Sequence, residues 1–150
     1  VSLVLFDAED YGTSADSWSY AKGSQFFAQN IPINYPMYAI NLDMIADREP
    51  EFYIERYSYQ QNPTLVLELW ELAASLNLDT FKKQAKYTIF DDHVPLYQMA
   101  GIPAIDIIDF DFPNEKTNYH HTHQDIVQNC SPKGLGEVGT LMLNHIYNIK

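Results

Sequence analysis

The sequence alternates short runs that are apolar on both faces with segments of helical periodicity. This alternation constrains the fold more than any other feature. Val1–Phe6, Tyr38–Ile45 and Ile102–Ile108 are the apolar runs. A strand without a polar face must be covered on both sides, the situation of parallel strands in an α/β layer. Between these runs, Gly23–Gln29 reads as a short helix. Asn62-Pro63 opens a longer one, with Asn as the cap, Pro in the first turn, and Leu65, Leu69, Leu72 and Leu76 on one face. Val94–Ala100 reads as a helix that stops at Gly101. Ser131-Pro132 starts a last helix with Leu135, Val138, Met142, Ile146 and Ile149 on one face. Glu51–Ser58 and Lys86–Phe90 read as further strands, and Asp7–Lys22, rich in Asp, Ser, Gly and Tyr, as a loop. The expected order is strand, loop, helix, strand, strand, helix, strand, helix, strand, loop, helix, which is an α/β fold with a mostly parallel sheet.

The 150 residues suit one domain with a hydrophobic core. Twenty acidic residues against nine Lys and Arg give a formal net charge of −11. That leaves too few cations for the basic face of a nucleic-acid binder or for adhesion to an anionic membrane. No run approaches the roughly 20 apolar residues of a membrane span. The single cysteine, Cys130, excludes an intrachain disulfide, and before a helix cap it reads as a small buried hydrophobe. Val1 opens directly into a strand pattern, so the chain is expected to be processed or to continue upstream.

In parallel α/β folds ligands sit at the carboxyl ends of the strands. Asp7-Ala-Glu9-Asp10 follows the first apolar run, Asp43 ends the second, Asp91-Asp92-His93 follows the short strand ending near Phe90, and the loop after Ile108 runs to His120-His121-Thr122-His123-Gln124-Asp125. Most acidic strand ends are solvated turns. Asp43 is a stronger candidate, because a carboxylate inside an apolar run must be paired or ligated. Asp106 shares that position without a motif and is read as structural. His145 reads as a packed or capping histidine, and His93 as a residue that holds its loop or binds metal. Glu9 and Asp10 are the most informative pair: adjacent carboxylates repel unless a cation neutralises them, and one can ligate while the other carries protons. Asp and His ligands with an open position are zinc-enzyme chemistry, although mixed O/N ligation admits other first-row metals.

The ordered set Phe6-Asp-Ala-Glu-Asp10, Gly23-Ser24, Leu42-Asp43-Met44, Asp91-Asp-His-Val-Pro95, Gly101-Ile-Pro103 and His121-Thr122 with Asp125 resembles the zinc aminopeptidase and glutaminyl cyclase superfamily. It spans essentially the whole chain. The resemblance is closest to bacterial glutaminyl-peptide cyclotransferase-like members. It implies a three-layer α/β/α sandwich around a mixed, mostly parallel sheet, the hydrolase-like zinc peptidase fold. It also implies that Asp10 and His121 fall on zinc-ligand positions and Glu9 on the general acid/base. Asp43 falls on a second-zinc ligand in two-metal aminopeptidases and on a hydrogen-bond network in one-zinc cyclases. A further Asp ligand is expected upstream of Val1, which makes residues 1–150 the C-terminal part of a single catalytic domain; within the chain, His123, Asp7 or Asp43 are possible substitutes.

Asp91, where aminopeptidases more often carry Ser, and the long Tyr11–Lys22 loop lean toward cyclase. His120, where cyclases usually carry Trp, leans the other way. His120 and Trp18 are the expected substrate-side residues. The leading expectation is a zinc-dependent glutaminyl-peptide cyclotransferase acting on peptide substrates, with Glu9, Asp91 and Asp43 in a proton network. A zinc aminopeptidase is the second, with two zinc ions instead of one. A non-catalytic peptide-binding domain is the third. The resemblance to exported bacterial proteins suggests an extracytoplasmic location.

Overall fold

The computed structural model describes residues 1–32 and 34–148. Helix α1 (Lys22–Gln29) is followed by β1 (Ala39–Asp43), β2 (Phe52–Ile54), α2 (Arg56–Gln61), α3 (Pro63–Ser75) and β3 (Phe81–Ala85). Then come α4 (His93–Ala100), β4 (Ala104–Ile108), the small hairpin β5 (Pro113–Asn114) and β6 (Thr117–Asn118), and α5 (Pro132–Asn148). No helix of the described residues is long and apolar enough to cross a membrane.

The expected helices form for the expected reasons. The Asn62 side chain accepts from Leu65 N–H at 3.2 Å and Pro63 fills the first turn of α3. Gly101 ends α4 with φ +67°, a left-handed cap that favours glycine. The core stripe of α3 is wider than the leucine register suggests: Leu65, Val66, Leu69, Trp70 and Ala73 are buried, while Leu72 and Leu76 are half-buried. In α5, Val138 and Leu141 are buried, Leu135 is exposed, and Ile149 lies outside the described residues.

The strands pair in parallel, β1 with β4 and β2 with β3. Side chains alternate along β4. Ile105 and Ile107 join Phe52, Leu69, Trp70 and Leu141 in a core under α3 and α5, whereas Ala104 joins Ala28, Leu96 and Ile102 under α1 and α4. This is the expected helix–sheet–helix layering. The sheet is not continuous between β4 and β2. Asp106 N–H, on β4, donates to Ser58 Oγ of α2 at 2.8 Å, so a helix residue closes an edge that a strand would otherwise occupy.

Three strand expectations are corrected. Val1–Phe6 forms no strand, and Val1, Leu3 and Leu5 are more than 90% exposed. An apolar run becomes a strand only where a ladder partner lies beside it, and none does among the described residues. Glu51–Ser58 is a strand only over Phe52–Ile54. Glu55 then caps α2, its carboxylate accepting from Tyr57 N–H at 2.9 Å and Ser58 N–H at 2.6 Å. Lys86–Phe90 is not a strand, although Lys86 N–H donates to Ile54 O at 3.1 Å and Arg56 N–H to Tyr87 O at 2.8 Å; the strand is the polar Phe81–Ala85 just upstream. Phe81 holds it there by packing on Phe52 and Trp70, with ring centroids 5.0 and 5.5 Å apart.

Candidate active site

Four chain segments meet at a cleft of about 470 Å³ on the carboxyl side of the sheet. The first carries Glu9 and Asp10. It is tied to the start of α1 by backbone bonds from Ala21 N–H to Glu9 O (2.8 Å), Lys22 N–H to Ala8 O (3.2 Å) and Gly23 N–H to Asp7 O (3.1 Å). Gly23 permits this approach, since a Cβ there would lie 2.5 Å from Asp7 O. The Gly23-Ser24 motif thus sets the position of the acidic pair.

The second segment is the end of β1, with Asp43 at its last ladder position opposite Ile108. The turn after it is pinned from α5: Ser131 N–H donates to Ala46 O and Ser131 Oγ to Asp47 O, both at 2.8 Å. Gly134 lies so close that a Cβ would sit 2.2 Å from Ile45 O. The third segment is Tyr87–Asp91, entering α4. The fourth is the loop beyond the β5–β6 hairpin, where Tyr119 N–H donates to Phe112 O at 2.7 Å and brings His120 and His121 to the cleft.

His121 Nε2 and Asp10 Oδ1 lie 2.7 Å apart, and both side chains are more than half exposed. The two expected ligands are therefore neighbours at the mouth of the cleft, reachable from solvent. His120 stacks on His121, with centroids 3.7 Å apart, and leans on Phe110 at 5.5 Å. Burial, and then the neighbouring His121, hold His120 below the usual histidine range.

Glu9, Asp43 and Asp91 lie deeper. Burial raises Glu9 to about 8, reinforced by a hydrogen bond with Asp10 and by the charges of Asp91, Asp10 and Asp43. Asp91 is raised to about 6 by burial and then by Asp43. Asp43 is raised by burial, which outweighs the lowering effects of Met44 N–H and His120. No Lys or Arg lines this cleft among the described residues. Glu9, Asp10, Asp43, Asp91 and Asp125 line the cleft with imidazoles and neutral side chains, a set of oxygen and nitrogen donors without a cationic side chain, which is the donor chemistry of a divalent cation.

The backbone supports that reading. Of the described non-glycine residues, Ala8, Ala21, Met44, Asn77 and His121 have φ between 49° and 57°. Ala8 adjoins Glu9, Met44 adjoins Asp43, Ala21 bonds Glu9 O, and His121 belongs to the cleft itself. Left-handed conformations cost energy at residues with a Cβ and collect where a site demands them.

Other expected residues fall elsewhere. Trp18 does not line the cleft. It packs edge-on against Phe90 at 5.1 Å, and Ser17 and Tyr20 of the same loop reach the cleft instead. His123 and Asp7 are exposed and outside the lining. Cys130 is half-buried, not fully buried. His145 is a packed histidine, its Nε2 2.8 Å from Tyr38 Oη.

Tyr20, Tyr87 and Phe110 line the cleft without having been singled out, since a lone aromatic beside a strand end has no spacing to betray it. Glu55 was also missed. It was hidden inside an alternating pattern that reads as a strand. His93 is fully buried, Nε2 3.2 Å from Glu55 Oε2 and Nδ1 3.8 Å from Asp106 Oδ2.

A parallel α/β layer that gathers carboxylates and imidazoles at its strand ends puts a metal-type donor set where such folds bind ligands. The chain belongs to peptidase family M28, whose model matches residues 1–146. Among solved structures it is similar to the Bacteroides thetaiotaomicron glutaminyl cyclase bound to N-acetylhistamine (30% identity, TM-score 0.90, 97% of this chain and 53% of that one). It is similar to the Tannerella forsythia glutaminyl cyclase (35%, 0.89, 97% and 54%). It is also similar to a Zn-dependent exopeptidase from Parabacteroides distasonis (33%, 0.88, 97% and 53%). The chain thus spans about half the length of these structures. No curated protein matches it.

Proposed function

We propose that the cleft is the catalytic edge of a zinc-dependent glutaminyl-peptide cyclotransferase, converting an N-terminal Gln to pyroglutamate with release of ammonia. The observation that carries this reading is the buried Asp91 carboxylate set among Glu9 and Asp43, apart from the exposed Asp10–His121 pair. A carboxyl group that titrates near neutrality can take a proton in its ionised form and give it back in its protonated one. Glu9 accepts a proton from the attacking α-amine as its nitrogen bonds to the side-chain carbonyl carbon. Glu9 then delivers that proton to the amide nitrogen, which leaves as ammonia. Asp91 and Asp43 hold Glu9 in its shuttling range through their shared charge. Tyr20, Tyr87, Phe90 and Phe110 supply aromatic walls for the Gln side chain, with His120 in the place of a larger ring.

Asp10 and His121 are the residues that would hold zinc, with Asp43 as the further carboxylate. When bound, the ion supplies Lewis-acid polarisation of the substrate carbonyl. The proposed substrates are peptides, and the proposed location is outside the cytoplasm, as expected from the sequence resemblance.

A second reading, a two-zinc aminopeptidase, draws on the likeness to Zn-dependent exopeptidases and on Asp43 lying within the electrostatic reach of Asp10. The test is ammonia release from Gln-peptides against hydrolysis of Leu-amide chromogenic substrates, with zinc counted per chain. Cyclisation with about one zinc, abolished by Glu9→Gln, supports the proposal. Leu-amide hydrolysis with about two zinc ions and no cyclisation decides for the peptidase. A folded protein with neither activity and no zinc would be non-catalytic, and peptide binding would then be measured directly.

A further inference from the structure

Behind the cleft lies a second cluster that the proposed chemistry does not use. His93 is completely buried, with Glu55 facing one ring nitrogen and Asp106 the other. Glu55 is 2% exposed and Asp106 is fully enclosed. A histidine between two sealed carboxylates is costly unless its charge and theirs compensate. Neither ring nitrogen nor Asp106 Oδ2 completes an aligned hydrogen bond, so the ring is held by its enclosure and by the carboxylates on either side of it.

The cluster connects to the cleft at two points. Asn41, on β1, donates from Nδ2 both to Asp106 Oδ1 (3.2 Å) and to Asp91 Oδ2 (2.8 Å). One amide thus ties the enclosed Asp106 to the carboxylate that faces Glu9. Glu55 Oε1 also accepts Ile89 N–H at 3.0 Å, anchoring the segment that leads into Asp91. The remaining Glu55 bonds go to Tyr57 N–H, Ser58 N–H and Ser58 Oγ. Burial alone pushes Glu55 up, but His93 and these N–H groups outweigh it and hold the carboxyl below its usual range. Asp91, His93 and Asp106 also present ligand-type atoms within 4.8 Å of one another. All three are buried, and Asp91 also lines the cleft.

We infer that Glu55, His93 and Asn41 are positioning residues for Asp91: the buried Glu55–His93–Asp106 cluster and the Asn41 amide fix the orientation of the Asp91 carboxylate in the cleft. The inference rests on the proposed role of Glu9 and Asp91. None of the three is among the residues that line the cleft. Supporting residues of this kind typically change activity by about 10- to 100-fold when removed.

The experiment is a double-mutant cycle in the full-length zinc-loaded protein. His93→Gln and Asn41→Ala are each expected to lower kcat about 10- to 100-fold with KM for a Gln-peptide and zinc content unchanged. In an Asp91→Asn background the same substitutions are expected to cost less than about twofold, because the group they position is gone. Fully multiplicative losses would make them merely structural and overturn the inference. Should His93→Gln fail to fold, the Asn41→Ala arm stands alone. Crystal structures of the variants give a reading independent of activity: the Asp91 carboxylate is expected to turn away from Glu9, and an unmoved carboxylate overturns the inference. A wild-type enzyme that does not cyclise Gln-peptides strikes the proposed function instead, and the cycle then runs on its peptidase rate.

Discussion

Helix α5 carries three glycines whose replacement by alanine should act in opposite directions. A Cβ at Gly136 or Gly139 meets nothing within 4 Å. A Cβ at Gly134 would sit 2.2 Å from Ile45 O, 1.2 Å short of the 3.4 Å at which ordinary contact begins, with Pro50 Cβ at 3.3 Å. Both neighbours belong to the turn that follows Asp43, and neither is a flexible chain end. Removing a helix-interior glycine gains about 1 kcal/mol at each position. At Gly134 overpacking against backbone costs about 3 kcal/mol, leaving a net loss of about 2 kcal/mol. For a domain of this size each kcal/mol moves Tm by roughly 2–4 °C. Gly136→Ala and Gly139→Ala should therefore each raise Tm by roughly 2–4 °C, and Gly134→Ala should lower it by roughly 4–8 °C. Calorimetric melts of the three variants under one condition make the comparison. Gly134→Ala should also reduce turnover, because Asp43 rides on the displaced turn. A Tm for Gly134→Ala that rises with the other two would refute the claim that α5 braces the site at that contact.

Other consequences can be measured separately. Gly23→Ala, whose Cβ would lie 2.5 Å from Asp7 O and 2.8 Å from Asp7 N, should displace the Glu9-Asp10 segment. It is expected to weaken zinc binding by about 10- to 100-fold in competition with a chelator, with helix content by circular dichroism unchanged. Leu69→Ala removes a fully buried side chain from the core under α3. It should cost about 3 kcal/mol in urea unfolding without altering zinc stoichiometry. Stability without metal should rise as pH falls from 8 towards 5. Glu9, held at about 8, and Asp91 and Asp109, at about 6, take up protons in the folded chain before the unfolded one does. The lowered Glu55 opposes them as a single group. Urea midpoints across that range check the sign, and saturating zinc should flatten the slope by supplying the missing counter-charge.

The legible parts of the site were those with a chemical reason to stand out locally. Two adjacent carboxylates after an apolar run, a carboxylate at the end of another, and imidazoles in a loop after the last strand are each unusual in one dimension, and they converge as expected. Trp18 did not follow suit, because the loop turns its ring onto Phe90 and offers Ser17 and Tyr20 to the cleft. Glu55 escaped notice because a cap residue inside an alternating stretch keeps the strand period until the backbone turns. The stretch Phe81–Ala85 is polar at three of its five positions, and its strand character comes from its partner β2 and from Phe81 in the core. Val1–Phe6 shows the reverse case, a strong strand signal with no ladder beside it.

The sequence by itself determined the helix boundaries at Asn62 and Gly101, the layered α/β class and the acidic character of the strand ends. These depend on propensity, capping and hydrophobic period, which act over a few residues. Only the tertiary structure decided that Asn41 would bridge Asp91 and Asp106, that His93 would be sealed between Glu55 and Asp106, and that Asp10 would meet His121 across 111 positions of chain. Such contacts join groups distant in sequence. Their geometry is set by how helices and strands pack, which no local pattern of side chains encodes.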